Sequence, residues 1–141
     1  MILYLDTSAL VKLYVPETDS AKIAQLVDAA EMSSTSRIAY AEVRAAFARK
    51  RRERAVTLRD YRTIVQDFDN DWESFFIVDV SDTLIKRAGE LAETFALRGY
   101  DAVHLASARI LGEQASQAVM FACFDDKLAR AARRLGLAVL S

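Results

Sequence analysis

Four carboxylates are the residues whose placement could do chemistry, and two of them follow apolar runs in the same way. Ile2-Leu3-Tyr4-Leu5 is a short apolar stretch without helical spacing, which suits a strand buried on both faces of a parallel sheet, and Asp6-Thr7-Ser8 ends it abruptly. Ala118-Val119-Met120-Phe121-Ala122-Cys123 is a second such run, followed by Phe124-Asp125-Asp126. A carboxylate at the carboxyl end of a parallel strand sits where open α/β sheets form their ligand crevice. The residue that turns the chain from strand to helix is the one aimed there, which selects Asp125 and leaves Asp126 in the first turn of the next helix. Asp101, in the first turn of a helix opening at Tyr100-Asp101, and Glu42, among the apolar positions of a long helix, complete the set. Each has a plainer reading beside the chemical one. Asp6 or Ser8 could serve only as the N-cap of a helix over 9–13, and Glu42 could be a snorkelling or salt-bridged glutamate.

Carboxylates gathered in one crevice repel, so they either hold their protons or bind hard cations, and oxygen-only ligands select Mg²⁺ or Mn²⁺. Two such ions roughly 3.5–4 Å apart can drive in-line displacement at a phosphodiester without a protein nucleophile. The chain contains one histidine, His104, and one cysteine, Cys123. Sites that need several imidazoles are thereby excluded, including most zinc hydrolases and two-histidine ribonuclease mechanisms, as is an intramolecular disulfide framework. His104 follows Asp101 by three residues and reads as a buried hydrogen-bonding group rather than a base, and Cys123 as a core residue. A net charge of −1 argues against nonspecific polyanion binding by overall field, yet setting four acids aside leaves +3 for a basic rim.

These side chains need a scaffold, and 141 residues with 52% hydrophobic and 28% charged content suffice for one globular domain over 1–141. Helices are expected over 9–14, ended near Pro16, and around Ile23, Leu26, Val27 and Ala30. Met32-Ser33-Ser34-Thr35 is a weak strand inferred from sheet continuity. Ser36 is a capping candidate for a helix reaching about Arg54, with Ile38, Val43, Ala46 and Phe47 inward. A second helix from Thr57 carries Leu58, Tyr61, Val65, Phe68 and Trp72 as an apolar stripe, making a helical hairpin over about 37–73. Strand Phe75–Val78, a helix capped by Ser81 or Asp82 and terminated by Gly99, a last helix stopped at Gly136, and a strand over 137–140 follow. Strands alternating with helices predict a three-layer α/β/α sandwich with a mostly parallel sheet of about five strands. No apolar run approaches the ~20 residues of a membrane span, and the first one meets Asp6 too soon for a signal peptide, so a cytoplasmic protein is expected.

The chain resembles the PIN-domain nucleases and, among them, the toxins of VapBC toxin–antitoxin operons. The resemblance covers the whole chain and rests on Leu5-Asp6-Thr7-Ser8-Ala9-Leu10, Ala41-Glu42-Val43, Leu97-Arg98-Gly99-Tyr100-Asp101-Ala102-Val103-His104-Leu105-Ala106 and Phe124-Asp125-Asp126-Lys127-Leu128. It implies Asp6, Glu42, Asp101 and Asp125 as an acidic metal site for Mg²⁺, or Mn²⁺ in its place, with Ser8 a polar helper. Thr7 beside it, and Arg49 and Arg52 of the basic run 49–54, are the remaining candidates for contacts around the site. Many relatives carry a threonine or serine where this chain has Cys123. The implied activity is an RNA-cutting toxin, a Mg²⁺-dependent endoribonuclease neutralised by a small cognate antitoxin. A homodimer is expected through helical faces near Leu10–Tyr14 or the stripe of Tyr61, Val65 and Phe68. The alternative is a catalytically silent module that binds RNA or protein through the same crevice. A phosphoaspartate hydrolase would need a second acid at position 8, where the residue is Ser8.

Overall fold

The computed structural model describes residues 1–140. In chain order these form β1 (Ile2–Leu5), α1 (Thr7–Tyr14), α2 (Ser20–Ala29), β2 (Met32–Ser36), α3 (Ala39–Arg52), α4 (Leu58–Trp72), β3 (Phe76–Val78), α5 (Asp82–Phe95), α6 (Gly99–Gln114), β4 (Val119–Ala122), α7 (Asp126–Arg134) and β5 (Ala138–Leu140). The five strands make one sheet in the order β3-β2-β1-β4-β5, and every pairing is parallel. The chain winds outward from β1 through β2 to β3, then returns to lay β4 on the other side of β1. The order therefore reverses between β1 and β4, where α/β sheets of this kind open a crevice at their carboxyl ends.

Alternation along β1 feeds two cores. Leu3 and Leu5 face a layer built from α1 to α4, with Ile23, Val43, Phe47 and Phe68 buried around them. Ile2 and Tyr4 face the opposite layer, where Leu105 and Leu111 of α6 and Leu128 and Ala132 of α7 close over Phe121. α5 packs outside α6 through Leu84, Ala88, Ala102 and Ala106. Three layers result, as the strand–helix alternation predicts.

β2 is polar because its hydroxyls find carbonyls. Thr35 Oγ1 donates to Leu5 O at 2.7 Å and Ser34 Oγ to Phe76 O at 2.8 Å, so two buried polar residues are satisfied inside the sheet. Ser36 is the last residue of this strand rather than a helix cap; its Oγ accepts from the Ile38 N–H at 3.3 Å and α3 begins at Ala39 without a side-chain cap. Gly99 does not terminate α5 either. Ala96 takes the left-handed turn at φ 53°, Leu97 N–H closes on Ala92 O at 3.0 Å, and half-buried Leu97 packs toward α6, so Gly99 becomes the first residue of that helix. Gly136, at φ +83°, does follow the end of α7 as expected.

The hairpin α3–α4 spends its stripe on the chain's own core. Phe68 is fully buried against Tyr14, Tyr40, Phe47 and Trp72, with ring centroids 5.3–5.7 Å apart, and Leu10 is fully buried as well. Tyr14, Tyr61 and Val65 pack half-buried on the same cluster, while Leu58 lies exposed. Leu10 and Phe68 are therefore not available to a second copy. Among the described residues no helix is long and apolar enough to cross a membrane.

Candidate active site

Both strand-end acids are helix caps. Asp6, in extended backbone, accepts the Ala9 N–H at 2.9 Å and the Ser8 hydroxyl at 2.6 Å, both on Oδ1. α1 thus starts at Thr7, two residues earlier than the apolar pattern suggested, because Asp6 and not Ser8 supplies the cap. Asp125 likewise accepts the Leu128 N–H at 2.8 Å on Oδ1 at the start of α7. Ser8 ties the two turns together: its Oγ also accepts the Phe124 N–H at 3.0 Å.

The other two acids come from helices. Asp101 in the first turn of α6 pairs with Arg98 Nε through Oδ2 at 3.1 Å. Glu42 on α3 accepts the Thr7 hydroxyl at 2.7 Å and the His104 Nε2 at 2.8 Å, both on Oε1. All four acids line one cleft of about 450 Å³ at the β1/β4 end of the sheet, together with Thr7, Ser8 and His104. Lys12, Lys50 and Arg98 also line it. Lys12 stands 4.7 Å over the Phe124 ring, and Glu17 bridges Lys12 at 3.6 Å and Lys50 at 3.4 Å. Arg49 and Arg52 lie outside the cleft, exposed, with Arg49 bound to Glu53 at 2.9 Å. Asp126 is exposed and outside it too.

Burial decides the electrostatics. Asp6 is 4% exposed, and loss of water pushes its carboxyl up to about 6 against the opposing pull of His104, Ser8 and the Ala9 N–H. Glu42 meets the same penalty, but the hydrogen bonds and charge of His104, with help from Thr7, outweigh it and hold the carboxyl below its usual range. Burial also raises the Cys123 thiol to about 12, and the fully buried side chain is a core residue as expected. His104 is 1% exposed, with Nδ1 2.9 Å from the Tyr4 hydroxyl. Burial drives the Tyr4 phenol well above its ordinary value, so it keeps its proton.

The donor set suits a hard divalent cation, since four carboxylates line the cleft and the hydrogen bonds to each acid fall on a single oxygen. Among the described residues no three His, Cys, Asp or Glu groups stand together as a ready-made coordination shell. The Arg98–Asp101 pair has its arginine 82% exposed, where solvent screens the attraction and makes it cheap to break.

Sequence reasoning left out Tyr4, Lys12, Lys50, Arg98 and Phe124. One signal was present: a tyrosine in an otherwise apolar central strand needs a partner for its hydroxyl, and His104 is the only imidazole on offer.

Residues 3–134 match the family model described as PIN domain, and the chain belongs to that family. It is 37% identical over 138 residues to "Ribonuclease VapC45" of Mycobacterium tuberculosis, covering 98% of this chain and 94% of the relative. Among solved structures it is similar to PAE2754 from Pyrobaculum aerophilum, with TM-score 0.71, 16% identity and coverage of 99% of this chain and 89% of that one. It is also similar to a chain of a toxin–antitoxin complex from Klebsiella pneumoniae, with TM-score 0.61, 18% identity and coverage of 84% and 83%.

Proposed function

We propose that this protein is a Mg²⁺-dependent endoribonuclease toxin, acting as one PIN-like unit, and that a cognate antitoxin restrains it. The observation that carries the reading is four acids around one cleft at the sheet's switch point, each held by protein donors through one oxygen. Asp6, Glu42, Asp101 and Asp125 would hold the ions through the oxygens left over, with Mn²⁺ an accepted substitute. When bound, two such ions supply Lewis-acid stabilisation of the charge that develops in phosphodiester hydrolysis. Lys12, Lys50 and Arg98 on the rim would engage the RNA backbone on either side of the cut, cations against phosphates. Ser8 and Thr7 keep the acids in place rather than touch the substrate. The named relative, a ribonuclease, supports RNA as the substrate.

An antitoxin is supported by the fold shared with the toxin–antitoxin complex from Klebsiella pneumoniae. An arginine of such a partner would find carboxylates able to take a guanidinium, as Asp101 already takes Arg98. A homodimer belongs to the same reading, with an interface away from Leu10 and Phe68; light scattering that returns the 15.7 kDa monomer at micromolar concentration removes it.

The deciding experiment incubates the purified protein, freed of partner, with total RNA in Mg²⁺ and in EDTA. Discrete cleavage in Mg²⁺ that EDTA abolishes is expected. Binding of RNA without cleavage in either buffer would favour the silent module.

A further inference from the structure

Glu42 differs from the two strand-end acids in how it is held. Asp6 and Asp125 are fixed by backbone N–H groups of the helices they cap. Glu42 lies in the first turn of α3, a 14-residue helix, and the donors its carboxylate takes are the side chains of Thr7 and His104. His104 comes from α6 in the opposite layer, and Thr7 is the first residue of α1. The Tyr4 hydroxyl is 2.9 Å from His104 Nδ1, His104 Nε2 is 2.8 Å from Glu42 Oε1 and 3.1 Å from Thr7 Oγ1, and Thr7 Oγ1 is 2.7 Å from Glu42 Oε1. Tyr4 and His104 are buried completely or nearly so.

We propose that Tyr4 and His104 are positioning residues for Glu42: a buried hydrogen-bond chain from β1 through α6 commits Oε1 of Glu42 to the protein and leaves Oε2 to the cleft. The direction of the chain follows from its members. A carboxylate only accepts, so Nε2 donates to Glu42, and Nδ1 on the far side of the ring is held by the Tyr4 hydroxyl. Thr7 donates to the same Oε1 and receives part of the Nε2–H bond, so no member is left unpaired. One ring thereby references three acids to each other: Tyr4 stands two residues before Asp6, and His104 stands one helical turn after Asp101. The inference rests on the reading of the cleft as a metal-dependent nuclease site.

Substitutions of matched shape test it. His104→Gln places an amide N–H near the Nε2 position and can still reach Glu42, whereas His104→Asn matches only the Nδ1 position; Tyr4→Phe removes one hydroxyl and little volume. Mn²⁺ binding to the partner-free protein is measured by calorimetry, beside kcat and KM for a defined RNA and the thermal midpoint. His104→Asn should weaken Mn²⁺ binding and lower kcat by about tenfold or more, with KM within about twofold, the scale seen when partners of metal ligands are lost. His104→Gln should restore most of both, and Tyr4→Phe should cost about threefold, as the loss of one neutral bond of a chain. Because the chain has a single histidine, ¹⁵N NMR of the wild type reads its ring nitrogens directly, and Nε2 should carry a proton. An Nε2 without a proton, or a folded His104→Asn protein with wild-type Mn²⁺ affinity, overturns the proposal, as does a Gln variant no better than Asn. A wild type that binds no Mn²⁺ and cuts no RNA overturns the nuclease reading instead.

Discussion

The turns after β1 and β4 are built alike and end in different surroundings. Asp6 and Asp125 both leave a parallel strand in extended backbone and both cap the following helix through the N–H three residues on, at 2.9 and 2.8 Å. Yet Asp6 is 4% exposed with its carboxyl raised to about 6, while Asp125 remains half open at the cleft. β1 is the central strand, covered on both faces and paired on both sides, whereas β4 has only β5 beyond it. Capping geometry is a local property; the cost of the charge is set by depth in the sheet. A deep carboxylate gains most from a cation, because its free-state penalty is what the cation relieves.

The largest expected effect tests that ranking. Asp6→Asn should lower RNA cleavage at saturating Mg²⁺ by about a hundredfold or more, a loss of roughly 2.7 kcal/mol, and Asp125→Asn by about tenfold. Single-turnover rates of the two variants decide it, and the reverse order would break the link between burial and contribution.

Stability should move the other way. The folded protein raises the Asp6 carboxyl from its ordinary 3.8 to about 6, so the fold favours the uncharged acid. The stability this group contributes is full below about pH 4 and is lost as pH climbs through 6. Asp6→Asn keeps the cap and removes the charge, so in EDTA at pH 7.5 it should be more stable than the wild type by as much as about 3 kcal/mol, several degrees in the thermal midpoint. At pH 4 the gap should close. Equal midpoints at pH 7.5 would show that Asp6 is better solvated than its position implies.

Ser8→Ala sharpens the comparison by cutting the tie between the turns. It leaves the Phe124 N–H without its acceptor and Asp6 with one donor fewer, and urea unfolding should report a loss of about 1–2 kcal/mol. The smallest effect belongs to Asp126→Asn, one residue past the cap and exposed. Cleavage should change less than about twofold and the midpoint by no more than about 1–2 °C. A large loss there would move the cleft acid from Asp125 to its neighbour.

Much of the site was legible because it depends on short-range rules. An apolar run followed by an acid and a helix is enough to put Asp6 and Asp125 at strand ends, and alternation of strands with helices is enough for a parallel three-layer sandwich. The weak strand β2 was harder to see, since Ser34 and Thr35 look like a loop until carbonyls of β1 and β3 satisfy their hydroxyls. Local signals also misplaced three boundaries: α1 begins at Thr7 instead of Ala9, Ser36 ends a strand instead of capping a helix, and α5 ends at Ala96 in a left-handed turn instead of at Gly99.

Tertiary structure alone decided what lies across the layers. Helical periodicity shows that Glu42 sits beside an apolar stripe, but not that His104, 62 residues away, and Thr7, 35 residues away, will hold its carboxylate. Nor does a basic run reveal which of its members reach the cleft: Lys50 does and Arg49 and Arg52 do not, since adjacent helix positions point about 100° apart and only the fold selects the face. The stripe of Tyr61, Val65 and Phe68 is equally apolar whether it meets a second copy or its own core, and packing against α1 and α3 takes up Phe68 fully and Tyr61 and Val65 in part. Residue type and spacing determine which groups are offered. Which of them meet, how dry the meeting place is, and what charge each carries there depend on contacts between segments far apart in the chain.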